Sequence, residues 1–315
     1  MTDTALADQM ATAARQLLAA MDDAARAAAA HPFDDAARRW IEYRPRPRPG
    51  ACLIDLDRTA RKAAHRLLAT ALSPPSFAQA VTIMALEEVL DRQEGWVRGR
   101  HSDDYRVAVF GDPGRDDRWS WRFEGHHLSV TMTIIDGTVR PAPIFLGANP
   151  ARVAYREWTL TRPLAPEEEL AFELLAALGP AGRAAAIVSE RAPVDIRSGT
   201  QPSVTGRIEP LGLARGSMTS SARDLLDRLT TLYLDRLPAD LAAAEAARID
   251  RGERYFAWEG PARPGGRHYY RVQGEDLLIE YDNTSADGNH AHTVLRRPLG
   301  DFGDDVLRAH RRAHH

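Results

Sequence analysis

Residues 105–137 and 253–284 read as two copies of one β-hairpin unit, and this constrains the fold more than any other feature. Trp121-Arg122-Phe123-Glu124-Gly125-His126-His127-Leu128 aligns without a gap on Tyr270-Arg271-Val272-Gln273-Gly274-Glu275-Asp276-Leu277. The same offset sets Phe110-Gly111 over Glu259-Gly260. The histidines are not duplicated. Glu275 and Asp276 stand where His126 and His127 stand, and only the second copy runs on into Asn289-His290-Ala291-His292. A repeated frame with an unrepeated histidine set predicts a site on one side of a pseudo-symmetric scaffold.

The periodicity around these units predicts the remaining elements. Leu6, Met10, Ala13, Leu17, Met21, Ala24 and Ala28 recur every three or four residues, one apolar stripe of a helix over 4–30. Pro32 ends it, because the residue before proline avoids helical backbone. Asp34 then caps a short helix through Trp40. In Arg44-Pro45-Arg46-Pro47-Arg48-Pro49-Gly50, alternating proline forbids helix and favours an extended chain. That run is either a stiff connector with solvated arginines or an arginine clamp for an acidic ligand.

Helices follow at 57–72 and 76–94. The period then changes to two, giving strands at 105–109, 119–123, 128–135 and 138–146, the last two joined by the tight turn Asp136-Gly137. Two helices at 166–178 and 180–190 form an insert, the first opened by Pro166 and three glutamates that suit the positive end of a helix dipole. Residues 194–216, rich in Gly, Ser, Thr and Pro, read as loop. Helices at 219–234 and 238–250 precede strands at 253–259, 267–273, 277–282 and 290–296. Each half is thus a helix pair followed by an antiparallel meander. The fold class is α+β, a single large domain over 1–315 built of two pseudo-repeats (about 51–150 and 208–300). Whether the repeats share one sheet is left open by the sequence.

Composition sets limits on function. The 315 residues are 44% apolar and 27% charged, an ordinary globular balance. A net charge of −3 offers no global basic field for nucleic acid. Lys62 is the only lysine among 41 basic residues, a bias toward Arg that reflects genome composition more than function. Cys52 is the only cysteine, so neither an internal disulfide nor a cysteine-based zinc site is available. No apolar run approaches the ~20 residues that span a bilayer, and the N-terminus lacks the basic region of a signal peptide. These features lead to the expectation of a soluble, cytoplasmic protein with a small-molecule substrate and with neither nucleic acid nor membrane as partner.

The candidate site is built from histidines and carboxylates. Glu124-Gly125-His126-His127 falls where a strand turns, and Gly125 is expected to supply the positive φ of that turn. Neighbouring residues on a strand face opposite ways, so His126 and His127 serve one site only if the turn bends them together; otherwise they are surface turn residues. His290 and His292, two apart on a strand, share a face and offer two imidazoles to one ion. Glu280 and Asp282 share a face on the preceding strand, as ligands, as acid–base groups, or as partners in a solvated network. His268 reads as a packed strand residue, Arg122 and Arg271 as structural, and His310, His314 and His315 as a solvated tail. No phosphate-binding glycine loop or nucleophile elbow is present.

These stretches, together with Phe145-Leu146-Gly147-Ala148-Asn149-Pro150, His268-Tyr269-Tyr270-Arg271, Ile279-Glu280-Tyr281-Asp282-Asn283-Thr284 and Gly300-Asp301-Phe302-Gly303, make the chain resemble the DUF3500 family, a domain of unknown function. The resemblance runs from about residue 33 to 308. It implies no established activity and no catalytic residue. Its members often begin with an export signal, which this N-terminus does not resemble.

The reading that follows from the residues is a metal-dependent enzyme acting on a small organic molecule. His126, His127, His290 and His292 would hold one transition-metal ion, with Glu280, Asp282 and Glu124 as catalytic carboxylates. Imidazole ligands suit zinc, iron or copper. Zinc implies hydrolysis through a bound hydroxide; iron or copper implies oxidation. The alternatives are a non-catalytic binding protein for a metal or a small acidic ligand, with Arg44, Arg46 and Arg48 contributing charge, and a purely structural hydrogen-bond network.

Overall fold

Two runs of four strands dominate the chain, and the computed structural model, which describes residues 3–249 and 252–304, joins them edge to edge. The first run is β1 (Arg106–Phe110), β2 (Arg118–Gly125), β3 (Leu128–Ile135) and β4 (Thr138–Ala148). The second is β5 (Tyr255–Glu259), β6 (Tyr269–Gly274), β7 (Leu277–Ser285) and β8 (His290–Arg296). Each run pairs antiparallel in sequence order, and the spatial order is β1-β2-β3-β4-β8-β7-β6-β5. The question left open by the sequence resolves as one continuous sheet. Its seam is the antiparallel β4–β8 pair, from Ala148 opposite Ala291 to Ile144 opposite Leu295. Both strands are apolar on both faces there, with Ile144, Phe145, Leu146, Val294 and Leu295 buried. As free edges they would expose unpaired backbone beside apolar surface.

Alternate side chains of every strand enter the larger core. Trp121, Phe123 and Val130 in the first run, and Trp258, Tyr270, Val272 and Ile279 in the second, pack with apolar residues of the helices. Those helices are α1 (Asp3–Ala20), α2 (Asp23–Ala29), α3 (Arg58–Ala71) and α4 (Pro74–Gln93) ahead of β1, and α5 (Ala165–Ala177), α6 (Gly179–Ala186), α7 (Ser220–Leu234) and α8 (Ala239–Ile249) ahead of β5. Asp57 caps α3 by accepting from the Ala60 N–H, and Thr219 caps α7 through the Ala222 N–H. Each cap satisfies one of the donors a helix start leaves unpaired.

The other face of the sheet is covered by two long loops, residues 32–50 and 190–212. Arg122 donates to the Ala37 and Trp40 carbonyls at 2.7 and 3.3 Å. Arg271 donates to the carbonyls of Ile208 and Pro210. The loops bury a second, smaller core of Ile41, Tyr43, Phe145, Ile196 and Val294 over the seam.

Several expectations are revised at element ends. The helix expected over 4–30 is two, because the Asp22 side chain accepts from the Ala25 N–H at 2.7 Å and starts a new helix there. The helix expected through Trp40 is one 3-10 turn, Ala36–Arg38, capped by Asp35 rather than Asp34. The second insert helix stops at Ala186, and Ile187–Ser189 runs parallel to β5, as Ala30–His31 does to β1. Ala51–Cys52 and Leu213–Ala214 pair antiparallel with the same two strands. Pieces of two or three residues carry no readable period. The expected tail of His310, His314 and His315 lies outside the described residues.

Candidate metal centre

The β2–β3 hairpin closes with Gly125 opposite Leu128, so His126 and His127 are the two residues of the turn. The left-handed backbone this turn needs is not at Gly125, as the sequence suggested, but at His127, with φ of 62°. Gly125 is small for another reason: a β-carbon there would enter the Tyr105 ring. Tyr105 in turn donates to the His126 carbonyl at 2.7 Å. The His127 N–H donates to the Tyr43 carbonyl at 2.9 Å, and the Gly147 N–H to the His127 carbonyl at 2.7 Å. A non-glycine residue at this φ costs energy and persists only when its surroundings hold it; here the first loop and β4 do so. The result is that adjacent histidines turn to one side, their rings stacked at 3.7 Å between centroids.

The seam brings β8 beside this turn. His292 lies opposite Gly147 of β4 and opposite Asp282 of β7. His127 Nε2 and His290 Nε2 are 2.8 Å apart across the sheet end. Ring centroids of His290 and His292 are 4.7 Å apart, and those of His127 and His292 5.3 Å. The ligating nitrogens of His127, His290 and His292 all lie within 4.8 Å of one another. Residues separated by more than 160 positions thus form one cluster because the hairpin tip and the start of β8 share an end of the sheet.

Carboxylates flank the imidazoles at both ends. His292 Nδ1 lies 2.9 Å from Asp195 Oδ1 and 3.2 Å from Asp282 Oδ2, which leaves Nε2 for the cluster. Asp195 comes from the second loop and also accepts from the Tyr43 hydroxyl of the first at 2.9 Å. Tyr43 stacks on Phe145 at 4.0 Å. The two loops therefore meet at this carboxylate. At the other end Glu87, a buried residue of α4, lies 2.5 Å from His126 Nδ1. Arg100 Nη1 is 3.3 Å from the same nitrogen.

Burial, reinforced by the neighbouring imidazoles, drives His127 well below its ordinary value. His290 is pushed down to about 3, by burial first and then by His292 and His126. Both rings are therefore neutral, the state in which imidazole binds a metal. Burial acts the same way on His292, but Asp282 and Asp195 beside Nδ1 outweigh it and raise it to about 9. Burial would likewise raise Asp195, and the His292 hydrogen bond and charge hold it below the usual range instead.

The structure brings together His126, His127, His290, His292 and Asp282 of the residues singled out in the sequence. It sets Glu124 and Glu280 to other work. Glu124 accepts from the Glu42 N–H and the Ser129 hydroxyl, at 2.9 and 2.8 Å. Glu280 accepts from the Arg197 N–H at 2.6 Å and from the Tyr269 hydroxyl at 2.8 Å. Burial raises the pKa of both. Each therefore fastens one covering loop to the sheet. His268 is packed in the core, stacked on Trp258 at 4.5 Å. Glu87, Asp195 and Tyr43 were missed. Glu87 had a readable signal, since it continues the apolar stripe of Ile83, Leu86 and Leu90, all buried. Asp195 and Tyr43 lie in aperiodic loop and had none.

Two neutral imidazoles, His127 and His290, beside a third ring, His292, that carries carboxylates behind its Nδ1 and gives up its proton when its Nε2 takes a metal, match the donor set of a transition-metal site. Two nitrogens on one tetrahedral ion, each at 2.0–2.1 Å, stand about 3.3 Å apart. The fit thus needs His127 and His290 to separate by about half an ångström, and His290 is the one partly exposed member of the three. No helix among the described residues is long and apolar enough to cross a membrane. Comparison with curated proteins and with solved structures gives no match. The family model for DUF3500, described as a protein of unknown function, matches residues 3–304, and the chain belongs to that family.

Proposed function

We propose that the protein is a metal-dependent enzyme that holds one transition-metal ion on His127, His290 and His292 and acts on a small organic molecule. The observation that carries this reading is the 2.8 Å approach of His127 Nε2 to His290 Nε2 beside His292, whose Nδ1 is engaged by Asp195 and Asp282. A carboxylate behind a ligating histidine fixes the ring and strengthens it as a donor. Asp195 and Asp282 serve as that carboxylate pair, and His126, held by Glu87, supports His127 by stacking. Three protein ligands leave a coordination position open, the mark of catalytic rather than structural sites. Held by these three histidines, zinc would supply Lewis-acid chemistry suited to hydrolysis, and iron or copper would supply redox chemistry. Glu124 and Glu280 are not carried forward as catalytic groups, since both serve the covering loops.

The same reading takes the two halves as pseudo-repeats of one domain. Arg122 and Arg271 both leave the sheet on the loop-covered face and bind carbonyls of their own half's loop. Asp276, at the second hairpin tip, is held by Arg248 and Arg297 and contributes no imidazole. One tip has become the site and the other a salt-bridged turn.

Elemental analysis of the purified chain tests the proposal. It should carry close to one zinc, iron or copper ion, and the His290→Ala/His292→Ala variant should fold and carry none. Wild-type protein that is metal-free and takes up none of the three on addition would overturn it in favour of a hydrogen-bond network.

A further inference from the structure

A second concavity adjoins the histidine cluster on the far side of His126. It has a volume of about 450 Å³ and is lined by Arg46, Arg48, Arg98, Arg100 and Arg106, with His126 in its wall. That volume lies in the range of small-molecule sites. Only two carboxylates, Glu87 and Asp104, share the lining.

The positive charges are unequally paired. Arg100 is a fork on Glu94, with contacts of 2.8 and 3.1 Å, and its Nη1 is 3.5 Å from Glu87. Arg98 lies 3.6 Å from the same Glu94 and is largely exposed. Arg106 has a neutral partner, the Gly50 carbonyl at 3.0 Å. Arg48 donates to the Arg44 carbonyl, and its buried Nε has no partner. Arg46 makes no side-chain hydrogen bond or ion pair among the described residues. Burial pulls the Arg48 pKa down, against the opposing pull of Glu124 and Glu42. Three guanidiniums thus face one cavity without a carboxylate of their own. The backbone of Arg46 and Arg48 is stiffened by Pro45, Pro47 and Pro49, and Arg106 is fixed on β1, which restricts the chain before any ligand arrives and lowers the entropic cost of ordering it.

We infer that this cavity is a binding site for a small molecule bearing an oxyanion group, a carboxylate or a phosphate. Guanidinium forks match such groups two bonds at a time. Arg46, Arg48 and Arg106 bind the anion, and Arg100, already neutralised by Glu94, keeps His126 in place. The His126 ring separates the anion from His127 by one stacking distance, 3.7 Å, so a ligand seated here lies beside the histidine cluster. The inference stands on the arginines alone and does not need a metal.

Calorimetric titration of the full-length, chelator-treated protein tests it, with inorganic phosphate in one arm and succinate in the other. At least one should bind saturably with one site per chain and bind more weakly as salt is raised. Binding of phosphate only, succinate only or both identifies which oxyanion the site takes. Arg46→Gln, at an exposed side chain that holds nothing in the fold, and Arg48→Gln should together weaken binding tenfold or more. His290→Ala/His292→Ala should bind as wild type does, so a failed metal reading leaves this result untouched. Absence of saturable binding at millimolar concentrations in both arms, or affinity unchanged in the arginine variant, would overturn the inference.

Discussion

Gly147→Ala is the smallest change that should disable the centre. Gly147 lies on β4 opposite His292. A β-carbon at this position would stand 2.8 Å from His127 Cδ2, 3.1 Å from its Cγ and 3.1 Å from the Ala291 carbonyl oxygen. Gly147 does not have positive φ, so alanine is acceptable to the backbone and the whole effect is steric. Ordinary carbon–carbon contact begins near 3.5 Å, so the ring must retreat by roughly 0.7 Å. It cannot retreat freely, because His126 is stacked on it at 3.7 Å and the turn is held by Tyr43 and Gly147 backbone groups. Metal–ligand distances tolerate about 0.2 Å. Affinity measured by competition with a chromogenic chelator should therefore fall tenfold or more, about 1.4 kcal/mol. Urea unfolding of the metal-free protein should show a loss of about 1–3 kcal/mol from overpacking. In a His127→Ala background most of that loss should vanish, since the clash has lost its larger partner. Metal affinity within twofold of wild type in folded Gly147→Ala protein would refute the reasoning. So would an equal stability loss with and without the His127 ring, which would assign the clash to Ala291.

Other substitutions probe separate parts of the account. Asp282→Asn should weaken metal binding by about 10–100-fold, read by the same competition assay, with little change in secondary structure by circular dichroism. Arg236→Met should cost about 3–5 kcal/mol in urea unfolding, because Arg236 and Glu167 are both buried and 2.9 Å apart, and the variant leaves the carboxylate without its cation. Asp227 is held below its usual pKa, first by the Arg215 hydrogen bond and also by Arg254. A depressed folded-state value contributes stability above the unfolded pKa and loses it as pH falls through the folded one. Stability of wild type relative to Asp227→Asn should therefore shrink on acidification below about pH 4, and an unchanged difference down to acid unfolding would contradict it.

Much of this arrangement was legible in the sequence, and the exceptions have physical causes. The period of two around His290 and His292 fixed a shared face for the pair, and the gapless match of the two hairpin units placed Arg122 and Arg271 on comparable strand positions. What the strands could not report was the turn. His127 rather than Gly125 takes the left-handed backbone, because Tyr105 and Gly147 fix the space on either side. Glu124 and Glu280 looked like site carboxylates because strand alternation says which face a residue shares but not what covers that face. The covering loops have no period, so Asp195 and Tyr43 could not be placed, nor could β4 and β8, with β5 to β7 between them in sequence, be seen to meet in a seam. The arginine–proline run is free of helix, as its prolines require, but it bends at residues 44–46, where the Arg46 N–H donates to the Arg44 carbonyl at 2.8 Å, and its cavity depends on Arg100 and Arg106 from elsewhere in the chain.

Anomalous diffraction from crystals of the protein loaded with zinc locates the ion that His127, His290 and His292 are proposed to hold. One strong peak is expected at the zinc edge, about 2.0–2.1 Å from nitrogens of His127, His290 and His292, with His292 Nδ1 still on Asp195 and Asp282. A peak bound elsewhere, or none, with His127 Nε2 and His290 Nε2 still in direct hydrogen-bond contact, would contradict it.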